Sequence, residues 1–150
     1  VNLIKDIINF NLIIIGKGKE CQSLKNFILI NKLQNKVKLL GYKKNPFPYI
    51  RQADIFILSS KYEGSPNVLI EALSLGKSII STDCPTGPKE ILGNNKYGKL
   101  FKVGDFKQLS QLLIKYKKNH KNKKKINNIL NIFEKKINCE KYFKYIKKYI

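Results

Sequence analysis

Short aliphatic runs recur along the chain, each followed by small or polar residues. They are Leu12 to Ile15 before Gly16, Val37 to Leu40 before Gly41, Ile55 to Leu58 before Ser59 and Ser60, Ser78 to Ser81 before Thr82 and Asp83, and a weaker run from Gly98 to Phe101. Runs this short and this uniformly apolar predict strands covered on both faces, because a strand with one wet face would alternate apolar and polar positions. The segments between them have a longer period. Glu20 to Leu33 sets Leu24, Phe27, Ile28 and Leu33 on one helical stripe, and Pro48 to Ala53 reads as a short helical turn after Asn45-Pro46. Phe106 to Tyr116 reads as a further helix.

Ser65 to Leu75 is the best-punctuated helix. Ser65 is its expected N-cap, Pro66 takes the first helical position, where a missing N–H costs nothing, and Gly76 stands just past the end. Strands alternating with helices predict an α/β, Rossmann-like fold, a parallel sheet with helices on both faces. Residues 1–116 read as this domain. Residues 117–150 read as a basic C-terminal helical segment packing on it, with a Lys/Asn-rich stretch to Lys125 and then helical periodicity in Ile126 to Ile137 and Glu140 to Tyr149. No internal repeat is evident.

A length of 150 residues suits one domain with a core that needs no disulfides. With 43% hydrophobic and 27% charged residues, wholesale disorder and a membrane span are both excluded. The formal net charge of +20 invites a nucleic-acid reading, but 29 of the 30 basic residues are Lys and only Arg51 is Arg. Base readout favours the bidentate Arg fork, so specific nucleic-acid binding is not expected. Lys, Ile and Asn are together the amino acids of A/T-rich codons, and much of the charge reflects that usage. It is also uneven: residues 1–106 hold 16 basic and 8 acidic groups, against 14 and 2 in residues 107–150. Cys21, Cys84 and Cys139 fit no metal spacing and read as free thiols in a reducing, cytoplasmic compartment. His120 sits among lysines, with no ligand or base partner near it in sequence. The opening residues lack the pattern of a secretory leader. The chain contains no Met, and its start at Val1 is expected to be that of a fragment.

In open parallel sheets, ligands bind beyond the carboxyl ends of the strands. The loops there are Gly16-Lys17-Gly18, then Ser59 to Asn67, then Thr82 to Pro88, all expected on one rim. In the second loop, the amides of Asn67 and Val68 fall in the first turn of a helix and have no intrahelical partner, so they form an anion site suited to phosphate. Glu71, four residues past Asn67, lies on the same helix face one turn further in, where a carboxylate can accept two hydrogen bonds from a vicinal diol such as a ribose. Glu63 approaches from the loop.

The stretch Glu63-Gly64-Ser65-Pro66-Asn67-Val68-Leu69-Ile70-Glu71 resembles the E-x7-E motif of family 4 retaining glycosyltransferases. Leu12 to Gly18, Leu40-Gly41-Tyr42, Asn45 to Ile50, Ala53-Asp54, Ser59 to Tyr62 and Ser81 to Glu90 resemble that family in the same order. The likeness spans roughly residues 10 to 106. It implies the donor-binding half of a GT-B enzyme, one that transfers a sugar with retention from a nucleotide-diphosphate sugar, UDP-linked by expectation, to a glycan or lipid-linked acceptor. It implies no metal or other cofactor. By the same resemblance Glu63 would be the catalytic contact to the donor sugar, the amides around Asn67 and Val68 would hold the diphosphate and Glu71 the ribose, with Gly64 and Ser65 also among the donor-binding residues. Gly16 and Gly18 would let the backbone pass close to the nucleotide, with Tyr42 near the base.

A family member would carry one more strand and helix before these, and an N-terminal acceptor-binding domain. The chain is therefore expected to be a donor-binding part that is inactive alone. A dinucleotide-dependent oxidoreductase competes on Gly16-Lys17-Gly18, but Cys21 stands where its fingerprint wants a small residue and Leu40-Gly41 where it wants an acid. A polyanion-binding module competes on the basic tail. Tyr142 to Tyr149, with Lys among aromatics, reads either as an amphipathic helix packing on the domain or as a peripheral contact to an anionic bilayer.

Overall fold

The computed structural model describes Val1 and residues 3–118. The helices expected over 126–137 and 140–149, together with His120, Cys139 and the bilayer-contact segment, lie outside the described residues. Those described divide into two compact units, Val1–Tyr49 with Phe106–Lys118, and Ile50–Asp105.

In the first unit, β1 (Leu12–Ile15) pairs in parallel with β2 (Val37–Gly41). Leu12 faces Val37 and Ile14 faces Leu39, but Ile15 faces Gly41, so Leu40 is an extra residue in a bulge. Gly41, at φ +67°, absorbs that bulge, and its carbonyl accepts the Gly16 N–H at 3.0 Å. Helix α1 (Cys21–Ile30) ends three residues before Leu33. Asn31 is its C-cap and Lys32 takes a left-handed φ of +53°. The Leu33 N–H then reaches back to Ile28 at 2.9 Å and the Lys32 N–H to Leu29 at 3.0 Å, which closes a Schellman turn. Leu33 is buried, as expected, but Leu24 and Phe27 are exposed and α1 has no buried residue. The predicted stripe is therefore not a core face, only Leu33 beyond the helix end being buried. Helix α5 (Phe106–Lys118) completes the described part of this unit, with Lys117 Nζ donating to the Asn9 carbonyl at 3.2 Å.

The second unit is the better packed. Helix α2 (Phe47–Gln52) leads into it, followed by β3 (Ile55–Leu58), α3 (Asn67–Ser74), β4 (Ser78–Thr82), α4 (Pro88–Ile91) and β5 (Lys99–Phe101). Strand β4 lies between β3 and β5, parallel to both, with Ile55 opposite Ser78 and Thr82 opposite Phe101. The sheet expected as one is therefore two, of two and three strands, each parallel as predicted. Residues 79–82 of β4 are buried, which fits its central place, and they include the polar Ser81 and Thr82 as well as Ile79 and Ile80. Leu69, Ala72 and Leu73, at i, i+3 and i+4 on α3, meet Ile79, Ile91, Leu92 and Ile50 in the core. Lys77 Nζ donates to the Arg51 and Ala53 carbonyls at 2.5 and 3.1 Å, capping the end of α2.

Gly76 sits at φ +65° just past α3, as its position in the sequence predicts. The other end of α3 differs. The helix begins at Asn67, Pro66 is its N-cap residue at φ −71° and ψ 91°, and no side chain caps it, so Ser65 is not the N-cap. Pro66 itself is extended, its ψ of 91° keeping it out of the first turn, so Ser65 is held one position outside the helix. Helix α4 was not expected from the sequence. Gly87 followed by Pro88, a proline at a first helical position, was the signal for it.

Leu73→Ala is expected to lower the unfolding free energy by about 2 to 5 kcal/mol, while Leu24→Ala on the exposed face of α1 changes it by about 0.5 kcal/mol or less. Urea denaturation of the two variants checks this. Equal losses would show that the core is not where α3 meets β4.

Candidate functional site

Strands β3 and β4 are parallel neighbours, so the loops that leave their carboxyl ends run side by side. The first, residues 59–66, carries Glu63 and leads into α3. The second, residues 83–87, leads into α4. Three contacts stitch them together. Thr82 Oγ1 donates to the Ser60 carbonyl at 2.7 Å. Thr86 Oγ1 donates to the Glu63 carbonyl. Gly87 lies flat against Gly64 and Pro66, and a Cβ on it would come within 2.6 Å of both the Gly64 carbonyl oxygen and Pro66 Cδ. Its φ of +89° also excludes most L side chains, so glycine is required there twice over.

This stitching fixes the start of α3. Pro66 is buried, and its carbonyl accepts the Leu69 N–H at 2.9 Å. The amides of Asn67 and Val68 precede the first intrahelical bond and have no side-chain cap, so they carry the unpaired donors and the positive end of the helix dipole. Glu63 is partly buried in the loop before this turn and Glu71 partly buried one turn after it. Gly64, Ser65 and Asn67 are exposed beside them. Among the described residues, neither carboxylate has an ion-pair or hydrogen-bond partner. The structure thus brings Glu63, Gly64, Ser65, Asn67, Val68 and Glu71 onto one loop and helix start.

Gly16, Gly18 and Tyr42 belong to the first unit, after the paired strands β1 and β2. Gly16 has φ +144°, and the Gly18 carbonyl accepts the Cys21 N–H at 3.2 Å. The exposed Tyr42 ring lies 5.6 Å from Lys17 Nζ, a cation–π contact. Lys17 was not singled out from the sequence, although parallel pairing of the two strands makes neighbours of the residues that follow them. Thr82, Thr86 and Gly87 were also missed as individuals, within a loop whose chemical character was evident. Cys21 is an exposed free thiol and Cys84 a buried one, with Cys84 Sγ 3.7 Å from Thr82 Oγ1. Among the described residues no three His, Cys, Asp or Glu side chains cluster as metal ligands.

Parallel strands joined through helices, with loops gathered at the strand ends, define a Rossmann-like domain of the GT-B type. The model of the family described as glycosyl transferases group 1 matches residues 1–130, and the chain belongs to that family. It is 51% identical over 84 residues to an uncharacterized glycosyltransferase of Methanocaldococcus jannaschii, a match covering 56% of this chain and 21% of that protein. It is 34% identical over 123 residues to the N-acetylgalactosamine-N,N'-diacetylbacillosaminyl-diphospho-undecaprenol 4-alpha-N-acetylgalactosaminyltransferase of Campylobacter jejuni, covering 78% of this chain and 34% of that protein. Among solved structures, it superposes on Anabaena HepE in complex with UDP with a TM-score of 0.72 and 22% identity, over 82% of this chain and 35% of that one. The chain thus spans well under half the length of these proteins.

The two requirements at Gly87 predict a contrast between glycines. Gly76→Ala, which meets only open space, is expected to cost about 1 to 2 kcal/mol for its left-handed backbone. Gly87→Ala adds overlap with Gly64 and Pro66 and is expected to cost about 3 kcal/mol or more. Denaturation midpoints that ranked the two the other way would show that the loops are not pressed together.

Proposed function

We propose that this chain is the donor-binding part of a retaining glycosyltransferase, which moves a hexose from a UDP-sugar to a glycan or lipid-linked acceptor. The observation that carries the reading is the uncapped start of α3 between Glu63 and Glu71. The donor diphosphate accepts hydrogen bonds from the amides of Asn67 and Val68, with Gly64 and Ser65 beside it, and the helix dipole favours its charge. Glu71 accepts from the ribose hydroxyls. As the bond between the anomeric carbon and the phosphate oxygen breaks, negative charge grows on the leaving diphosphate and positive charge on the sugar ring. The α3 amides stabilise the first and the Glu63 carboxylate the second, which makes Glu63 the catalytic residue.

Within the other unit, Gly16 and Gly18 leave the backbone after β1 open to a nucleotide, and Tyr42 offers a ring on which a base can stack. UDP in the Anabaena structure and the diphospho-undecaprenol in the Campylobacter relative's name support the donor and acceptor classes. The chain covers 21% and 34% of the two curated relatives, and acceptor recognition is assigned to a second, N-terminal GT-B domain. A lipid-linked acceptor brings the reaction to the membrane surface as a peripheral contact from the cytoplasmic side. Among the described residues no helix is long and apolar enough to cross a bilayer.

Glu71→Ala is expected to weaken UDP binding about ten- to a hundredfold, the worth of about one charge-assisted hydrogen bond, in a fluorescence titration. Glu63→Gln, placed in a transferase that carries both domains, is expected to lower turnover while UDP affinity holds. Wild-type behaviour of both variants would refute the site. Residues 1–150 alone are expected to turn over a nucleotide sugar and lipid acceptor weakly or not at all, and robust turnover would refute the division between domains.

A further inference from the structure

The loop that carries Glu63 makes no regular secondary structure, yet its backbone is held from outside at successive points. Thr82 holds the Ser60 carbonyl, Thr86 holds that of Glu63 itself, and Gly87 backs Gly64 and Pro66. These contacts differ in kind. The Thr82 bond is partly buried at the root of the loop, and Gly87 is a packing requirement. The Thr86 bond is exposed, and its acceptor is the peptide oxygen of the residue assigned to the sugar. An exposed side-chain hydroxyl adds little to global stability. Holding one peptide plane, however, sets the direction in which that residue's side chain leaves the backbone. We propose that Thr86 is a positioning residue for Glu63, using its hydroxyl to fix the Glu63 peptide so that the carboxylate meets the donor sugar.

This inference rests on the reading of Glu63 as the catalytic contact. It places the control of that contact on the β4–α4 loop, through the one of the three contacts that reaches Glu63 itself. Displacements of about 1 Å near reacting atoms can cost as much as a hundredfold in rate, so a small shift of the peptide would be visible in turnover.

The test uses the two-domain transferase and measures UDP release from UDP-glucose, UDP-galactose or UDP-N-acetylglucosamine, whichever supports turnover. Thr86→Val keeps the shape and removes the hydroxyl. It is expected to lower kcat about tenfold or more, with UDP affinity within about twofold and Tm unchanged. Thr86→Ser retains the donor and is expected to restore most of kcat. Adding Thr86→Val to Glu63→Gln is expected to produce no further fall, because the two substitutions remove one effect. The proposal is overturned if Thr86→Val keeps wild-type kcat, if Val and Ser lose it alike, or if the losses of Thr86→Val and Glu63→Gln multiply. A Glu63→Gln variant with normal turnover would instead sink the catalytic reading, and the positioning role with it. Failure of Thr86→Val alone leaves that reading standing.

Discussion

One bare Cα decides how the second unit is built at its strand ends. At Gly87 the backbone of the β4–α4 loop lies against Gly64 and Pro66 with no room for a methyl group. Two loops far apart in sequence therefore move as one object, and the entry to α3 inherits the rigidity of the sheet below it. A loop of this length would ordinarily have many conformations, and ordering it costs conformational entropy. Here that cost is met on folding, by contacts within the domain, and does not fall on a ligand when it binds.

The same contact explains why α3 starts where it does. Pro66 is pinned between Gly87 and the helix core, and its fixed φ sends the chain into the first turn at Asn67. A serine cap would have satisfied the first-turn donors from within. Its absence leaves local stability unclaimed, and a helix end that lacks its own cap is suited to an external acceptor. The buried face of Leu69, Ala72 and Leu73 supplies the compensation, since most helix stability in a folded domain comes from packing.

Much of this architecture could be read from the residues. The strands were legible because aliphatic stretches such as Leu12–Ile15 and Ile55–Leu58 are each closed by small or polar residues, and Gly76 marked the end of α3 because only a residue tolerant of positive φ closes a helix that way. Glu63 and Glu71 stood out through their spacing about a helix start. What could not be read depends on partners distant in the chain. Whether Leu24 and Phe27 are covered depends on what packs beside α1, and nothing local to that helix encodes it. Ser65 was a reasonable cap by composition, but Pro66, packed against the distant Gly87, is extended and takes the cap position itself. Gly87 looked like an ordinary turn residue, because its need for glycine comes as much from Gly64 and Pro66, over twenty positions earlier, as from its own φ.

The way the chain divides also bears on how it folds. In the first unit Phe106–Lys118 returns to Val1–Tyr49, with Lys117 reaching back to Asn9. Contacts between nearby residues form quickly, and those that must close a long intervening segment wait for chain diffusion to offset the lost entropy. The Lys117 contact to Asn9, which closes 108 positions, is therefore expected to form after the local pairing of β3 with β4.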